Sequence, residues 1–142
     1  MRDNYSFRLK LDPDPDDIEE LRSRLEEYNT SRTGKDEYKF LLLTVDDEAG
    51  KLAAGLYARI HYSWMFIDSL WVAERARGRG LGTKLLEQAE EQARRHGCHS
   101  VWLDTFSFQA PDFYREHGYE VFGELPSYPA EHRRYFLSKK LS

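Results

Sequence analysis

The chain has 142 residues, of which 40% are hydrophobic and 32% charged, a balance typical of one soluble domain with a buried core. Its net charge of −4 gives a nucleic-acid partner no electrostatic support. The single cysteine, Cys98, excludes an internal disulfide or a metal cluster built from cysteines, and we interpret it as a small buried filler. No apolar run suits a membrane span and the first residues lack a signal-peptide core, so we expect a cytoplasmic protein whose residues 1–142 form one domain.

The first half of the chain predicts a strand, a helix and a three-stranded meander. Alternating apolar and polar residues predict a strand over Tyr5–Leu11, and apolar residues at helical spacing then predict a helix that reaches Tyr28. Asn29–Asp36 is polar and is predicted to be a loop. Short turns separate the three β-prone stretches of the antiparallel meander, which are Phe40–Val45, Leu52–Ile60 and Trp64–Val72.

The second half alternates short strands with helices. The glycine-rich loop Ala73–Gly82 leads into an amphipathic helix predicted over Thr83–His96. The later predicted elements are a strand over Ser100–Thr105, a helix over Pro111–His117, and strands over Tyr119–Gly123 and Tyr135–Leu141. This order predicts a mixed α/β layer fold with a strand–loop–helix–strand unit at its centre.

The loop before the long helix has the composition of an anion-binding site. A helix start exposes unpaired backbone N–H groups and the positive end of the helix dipole, and together these bind phosphate. Glycines leave the backbone accessible, arginines add positive charge and a threonine adds a hydroxyl donor. These residues are Gly78, Gly80, Gly82, Arg77, Arg79 and Thr83.

Three other interpretations of the loop need comparison. A Walker P-loop requires Gly-Lys-Ser/Thr at its end, whereas Thr83-Lys84 has the reverse order. A dinucleotide site follows the first strand of a parallel unit, whereas this loop follows the predicted antiparallel meander. A purely structural helix entry remains open on the loop alone.

With its surroundings, the loop resembles the cofactor motif of the GCN5-related N-acetyltransferase (GNAT) superfamily, in particular a subgroup of small bacterial members. The family motif Arg/Gln-x-x-Gly-x-Gly/Ala matches Arg77-x-x-Gly80-x-Gly82. A second signature, a small residue before a tyrosine-bearing helix and then glycine with an aromatic residue, matches Ala110–Tyr114 and Gly118-Tyr119. The resemblance implies an α/β fold whose central, mostly antiparallel, twisted sheet is splayed at the acetyl-CoA site, with helices on both faces.

The resemblance also implies which residues bind the co-substrate, acetyl-CoA. The backbone of the loop would hold the pyrophosphate, which involves Arg77, Gly78, Arg79, Gly80, Leu81, Gly82 and Thr83. The strand end Leu70, Trp71 and Val72 would pair with the pantetheine arm and polarise the thioester carbonyl. Many members place an asparagine where this chain has Ser107, so the corresponding pantetheine contact comes from Ser107 or Gln109, or is absent.

Two residues are implied to act in catalysis. Tyr114 matches the family tyrosine that protonates the departing thiolate of CoA, and a tyrosine pKa of ~10 is close to that of a thiol. Asp68 lies where many members have an acidic residue that acts as general base. His61 is the second candidate for the base, and no base is needed if the amine binds in its neutral form.

The implied reaction is direct transfer of an acetyl group from acetyl-CoA to a primary amine of a small molecule in a ternary complex. Aromatic rings that attract cations would line the acceptor site, namely Tyr28, Tyr57, His61, Trp64 and Phe66. A peptide or protein N-acetyltransferase and an inactive CoA-binding module are the alternatives. No metal is expected, and the frequent dimers of the family leave a homodimer open.

Overall fold

The computed structural model of the protein describes residues 4–141, which separate into two compact units with a boundary between Asp36 and Glu37. The N-terminal unit holds one helix, α1, which spans Pro15–Thr33. Pro15 occupies the first helical turn, where its missing N–H costs nothing, and the N–H of Asp14 donates to the carboxylate of Asp17 (3.2 Å). The helix ends at Gly34, which has φ 83°.

Two predictions for the N-terminal unit are wrong. Residues 4–10 have no regular secondary structure, because residues 4–36 contain no second strand with which the predicted strand Tyr5–Leu11 would pair. The helix also continues through most of the predicted loop Asn29–Asp36. The hydroxyl groups of Ser31 and Thr33 donate to carbonyl groups one turn earlier, at 2.6 and 3.0 Å, so these polar residues remain compatible with the helix.

The second unit is built on a six-stranded sheet of order β1-β2-β3-β4-β6-β5. The strands are β1 Lys39–Asp46, β2 Leu52–His61, β3 Trp64–Val72, β4 Ser100–Phe106, β5 Glu120–Leu125 and β6 Arg134–Lys140. The β1–β2–β3 meander is antiparallel, which confirms its prediction. The β3–β4 pair is parallel and the pairs involving β6 are antiparallel, so the predicted mixed, mostly antiparallel α/β fold is confirmed.

Two helices accompany the sheet, α2 over Leu81–Arg95 and α3 over Pro111–Glu116, and a 3₁₀ turn covers Glu74–Ala76. Each strand and α-helix of this unit begins and ends within two residues of its predicted bounds, whereas the 3₁₀ turn lies in a segment predicted to be a loop. The largest shift at a functional position is the start of α2 at Leu81 instead of Thr83, because Gly80 adopts a left-handed conformation (φ 76°) and caps the helix.

One hydrophobic core joins both helices to one face of the sheet. The apolar stripe of α2 is formed by Leu85, Leu86, Ala89 and Ala93, and it packs on alternate residues of the strands, as the period of two in a strand requires. Tyr114 of α3, Tyr119 and Cys98 belong to the same core. The helix with the cofactor motif and the helix with Tyr114 are therefore parts of one packed body.

The sheet opens between β3 and β4. These strands pair only from Trp64 to Ile67 on β3 and from Ser100 to Leu103 on β4. Beyond these residues β3 stays with β2 while β4 stays with β6. Asp68 is the extra residue in the bulge of β3 at this point, and a bulge increases local twist. We call the gap between residues 68–72 and residues 104–106 the fork.

Candidate active site

The β3 side of the fork presents backbone hydrogen-bonding groups. The N–H of Ala73 donates to Ala53 of β2 (2.8 Å). Because N–H and C=O groups alternate in direction along a strand, the backbone of Trp71 also faces β2, whereas Leu70 and Val72 face the fork. The C=O of Val72 accepts a hydrogen bond from the Arg77 side chain (3.3 Å). An extended ligand would therefore pair with Leu70 and with the N–H of Val72, and not with Trp71.

The loop that follows β3 forms a cradle of backbone donors. Gly78 and Gly80 have φ 79° and 76°, and a Cβ atom on either would meet nothing within 4 Å. Within residues 4–141, no group accepts a hydrogen bond from the N–H groups between Gly78 and Thr83, and the first bond of α2 runs from Lys84 to Gly80 (3.1 Å). This cluster at the positive end of a helix suits a pyrophosphate.

The arginines around the cradle have different partners. Arg75 pairs with Asp47 (3.1 Å) and the Leu52 carbonyl (3.0 Å), and Arg77 bonds to the Val72 carbonyl (3.3 Å). Among the described residues, Arg79 has no ion pair or side-chain hydrogen bond. Arg79 is therefore the cation of the motif that is best able to turn towards an anion.

Gly82 lies where the cradle, the fork and α3 meet. A Cβ atom on Gly82 would come within 3.3 Å of the Phe113 ring and 3.8 Å of the Val72 side chain. The hydroxyl of Thr83 is 3.0 Å from Nε2 of His117, which follows α3. The start of α2 therefore supports α3 directly, and it brings Tyr114 to the same core as the fork residues Leu70 and Val72.

Tyr114 is a buried phenol in this core. Its side chain is only 8% exposed, and its ring lies 5.2 Å from that of Phe113 and 6.0 Å from that of Tyr119. Burial, and then the charge of Asp104, raise the pKa of Tyr114 to about 12. Complete proton transfer from this phenol to an ordinary thiolate would cost about 5 kcal/mol, so the expected match of the two pKa values does not hold in the folded protein.

The two candidate bases occupy different ends of the sheet. Asp68 lies at the mouth of the fork, where it accepts a hydrogen bond from the Ser69 hydroxyl (2.6 Å) and pairs with Arg59 (3.4 Å). His61 pairs with Trp64 at the closed end of β3 and stacks on Tyr38 at 4.0 Å. The strand rise places Trp64 about 20 Å from Leu70. The structure therefore brings Asp68 to the fork and leaves His61 and Trp64 away from it.

Two predicted acceptor residues lie beside the fork on the sheet face opposite α2. Tyr57 is paired with Ser69 in the strand register, and the Phe66 ring lies 4.3 Å from that of Trp102. Sequence reasoning missed Trp102, although it alternates with core residues on β4 and so had to face away from α2. Tyr28 lies on α1 in the N-terminal unit, and its role remains a prediction.

The side chains of Ser107 and Gln109 differ in the hydrogen-bonding groups that remain for a ligand. The hydroxyl of Ser107 accepts the N–H of Arg133 (3.0 Å) and lies 3.3 Å from His132, so it holds the segment before β6. The amide oxygen of Gln109 accepts hydrogen bonds from the Phe106 N–H (2.9 Å) and the Thr105 hydroxyl (3.1 Å) at the β4 side of the fork. This arrangement leaves the NH₂ group of Gln109 as a donor.

Within residues 4–141, no cluster of three or more His, Cys, Asp or Glu side chains has the geometry for a metal ion. In the same range, no helix combines the length and apolarity needed to cross a membrane.

Comparisons with known proteins agree with this geometry. The profile of the Acetyltransferase (GNAT) family matches residues 4–119. Blasticidin-S acetyltransferase of Streptomyces morookaense is 41% identical over 95 residues, which are 66% of this chain and 70% of that protein. An acetyltransferase structure from Bacillus cereus has a TM-score of 0.86 at 33% identity, covering 94% of this chain and 98% of that one.

A Bacillus anthracis structure solved with acetyl coenzyme A superposes with a TM-score of 0.65 at 14% identity, covering 80% of this chain and 68% of that one. At this identity the likeness shows the fold alone. A sheet that splays beside an anion cradle, together with these matches, defines an acyltransferase. The chain belongs to the GNAT family and is an acetyl-CoA-dependent N-acetyltransferase.

Proposed function

We propose that this protein transfers the acetyl group of acetyl-CoA directly to a primary amine of a small molecule while both substrates are bound. The carrying observation is the junction at Gly82, where a backbone donor cradle, the unpaired edge of β3 and the helix of Tyr114 meet. The 41% identity to a blasticidin-S acetyltransferase supports a small-molecule acceptor over a protein.

Acetyl-CoA supplies an acetyl group activated as a thioester. The N–H groups from Gly78 to Thr83 hold the pyrophosphate, and the fork-facing groups of Leu70 and Val72 hold the pantetheine arm in the manner of an added strand. One backbone N–H directed at the thioester carbonyl contributes about 3 kcal/mol to the lowering of the barrier. The NH₂ group of Gln109 acts as the further donor at the opposite side of the fork.

Two side chains take part in the proton chemistry of the reaction, one as a hydrogen-bond donor and one as a base. Tyr114 donates a hydrogen bond to the sulfur as negative charge develops there, and its raised pKa keeps it protonated at neutral pH. Asp68 at the fork accepts the proton that an ammonium group must lose before it can attack. Its side chain is 40% exposed, so one water molecule can relay this proton. As the C–N bond forms and the C–S bond breaks, the nitrogen loses a second proton, which ends on the departing CoA sulfur to give free thiol.

The acceptor approaches from the sheet face opposite α2, where Tyr57, Phe66 and Trp102 lie beside the fork. Arg59 already sits over the Phe66 ring, 4.6 Å from its centre, so this ring holds a cation in the folded protein. A cationic acceptor would use the same type of contact. Arg59 also pairs with Asp68 (3.4 Å), so a charged amine would compete with this guanidinium for both the ring and the carboxylate.

The test has a binding stage and a turnover stage. Saturating acetyl-CoA raises Tm in a thermal-shift measurement, and thiol release is then assayed against a panel that includes blasticidin-S, polyamines, amino acids and peptides. Release with small amines and none with peptides is the expected result. An unchanged Tm at saturating acetyl-CoA, or release with peptides only, would contradict the proposal. Size-exclusion chromatography of the same sample tests the homodimer that the family resemblance leaves open.

A further inference from the structure

A hydrogen bond between Thr83 and His117 links two parts of the site that are 34 residues apart in sequence. Thr83 belongs to the first turn of α2, whose N–H groups form the cradle. His117 directly follows α3, and its Nδ1 lies 2.7 Å from the carbonyl oxygen of Phe113. The imidazole therefore bridges the cradle and the helix that carries Tyr114.

The partners of His117 define where its hydrogen lies. A carbonyl oxygen only accepts hydrogen bonds, so Nδ1 carries the hydrogen and donates to Phe113. In the neutral imidazole Nε2 then has only a lone pair, and the hydroxyl of Thr83 donates to it. The single hydroxyl hydrogen of Thr83 is therefore used within the protein, and a pyrophosphate would receive only the backbone N–H of this residue.

The orientation of α3 depends on such contacts. The helix spans only Pro111–Glu116, which is too short to be stable without packing. At the start of α2 it is held by the Phe113 ring against Gly82 and by the Thr83–His117 bond. The backbone carbonyl of Tyr114 accepts a hydrogen bond from the N–H of His117 (3.0 Å). A shift of His117 would therefore also shift Tyr114, which lies within the same helical turn.

We propose that Thr83 and His117 are positioning residues, which set the place of the Tyr114 phenol relative to a cofactor held by the same helix start. This inference rests on the proposed acetyl transfer. One element then holds both the pyrophosphate and, through His117, the hydrogen-bond donor for the sulfur at the other end of the pantetheine arm. Loss of the bond lowers turnover and leaves the affinity for acetyl-CoA in place, because the backbone donors of the cradle remain.

A second hydrogen bond, between Tyr119 and Glu90, also holds the segment after α3 to α2, but it is less suitable for a mutational test. The hydroxyl of Tyr119 donates to Glu90 of α2 (3.0 Å), and Lys139 also donates to that carboxylate (2.7 Å). Glu90 is only 5% exposed and the Lys139 side chain is 26% exposed, so replacement of Glu90 leaves a half-buried ammonium group without this partner and destabilises the fold. The Thr83–His117 bond is only partly buried, and its loss is tolerated.

The chain contains a matched control histidine. His96 follows α2 as His117 follows α3, and its Nδ1 lies 2.8 Å from the Gln92 carbonyl, four residues earlier. Among the described residues, no hydroxyl group bonds to its Nε2. His96→Gln therefore tests a histidine at a helix end without the link to the cradle.

The experiment compares Thr83→Val, Thr83→Ser, His117→Phe and His96→Gln. Thr83→Val and His117→Phe should lower kcat about tenfold, with the KM for acetyl-CoA within about twofold of wild type. Thr83→Ser restores the hydroxyl and should restore kcat, and His96→Gln should leave it unchanged. Thr83→Val with wild-type kcat, or with a raised KM and unchanged kcat, overturns the inference.

A second readout uses the protein without acetyl-CoA. Long-range ¹H–¹⁵N correlation spectra should show His117 with its hydrogen on Nδ1, and Thr83→Val should move the Nε2 signal only of this histidine. A hydrogen on Nε2 with none on Nδ1 contradicts the donation to Phe113 and overturns the link. Wild-type protein that releases no thiol with any acceptor overturns the proposed function and with it the inference, whereas a Thr83→Val variant with wild-type kcat overturns the inference alone.

Discussion

The two halves of β3 share the same neighbour on one side and differ on the other. From Trp64 to Ile67 the strand has β2 and β4 as partners, and Met65 and Ile67 are 0% and 3% exposed. From Asp68 to Val72 it keeps only β2, and its side chains are exposed or half-buried. The first half stabilises the sheet through pairing on both sides, whereas the second half is paired with β2 only and leaves the backbone groups of Leu70 and Val72 facing the fork.

We expect the largest effect from a substitution that blocks the backbone donors of the cradle, which follows the unpaired half of β3. Gly80→Val places a β-branched side chain at φ 76° and covers N–H groups that would bind the pyrophosphate. The loss of about two charge-assisted hydrogen bonds should weaken acetyl-CoA binding about 1000-fold by isothermal titration calorimetry.

Gly97→Val is the matched control for this prediction. Gly97 has φ 77° just beyond the other end of α2, and a Cβ atom there would also meet nothing within 4 Å. The two variants should lose similar stability, about 1–3 kcal/mol, but only Gly80→Val should lose affinity. Equal acetyl-CoA affinity in both variants would show that the cradle is a structural helix entry.

Removal of the Tyr114 hydroxyl should lower turnover and leave acetyl-CoA binding unchanged. Tyr114→Phe keeps the ring and the packing but removes the phenol hydrogen, so kcat should fall about 100-fold while the Kd for acetyl-CoA is unchanged. Tyr119→Phe removes the neighbouring hydroxyl, which bonds to Glu90, and should lower stability with little change in kcat. Equal kcat losses in both variants would point to core packing as the cause.

The bulge residue Asp68 divides the two halves of β3, and its replacement sharpens the comparison between them. Asp68→Asn should lower kcat about tenfold at neutral pH, and this deficit should shrink as pH approaches the pKa of the amine, ~10.4, because a neutral amine needs no base. His61→Gln changes the other candidate base, at the closed end, and should leave kcat unchanged. The reverse pattern in a pH–rate profile would reassign the base.

The smallest effect concerns stability at alkaline pH. The pKa of Tyr114 is raised from 10.0 to about 12 in the folded protein, so above pH 10 the unfolded chain releases this proton first and stability falls as pH rises. The contribution of Tyr114 to the free energy of unfolding should drop by about 1.4 kcal/mol between pH 9 and 11. Urea unfolding of Tyr114→Phe should show a correspondingly shallower pH dependence than wild type.

The local sequence pattern was sufficient to predict most elements of the second unit and the glycine-rich loop before α2. Hydrophobic periodicity reports which side chains a strand or helix buries, and the glycine spacing reports a helix entry with accessible backbone. The strand predicted over Tyr5–Leu11 failed because alternation describes the side chains and not the presence of a partner strand. The extension of α1 through Asn29 was missed because Ser31 and Thr33 bond back to the helix.

Local sequence patterns could not predict the fork. That β3 and β4 part after Ile67 depends on their register and on the bulge at Asp68, and both are relations between distant segments. The commitment of the Thr83 hydroxyl to His117 is another such relation. The raised pKa of Tyr114 follows from its burial, which the motif that identified this tyrosine does not contain.

The unpaired half of β3 has a consequence for the lifetime of the protein. An exposed strand edge invites pairing with other chains, and here the edge lies inside the sheet, where the proposed pantetheine arm would complete the ladder. Ligand that binds only the folded chain at 100 times its Kd adds about 2.7 kcal/mol to stability. On the proposed binding of acetyl-CoA, the amount of folded protein should rise with the supply of this substrate, and starvation for it should destabilise the enzyme as well as slow its reaction.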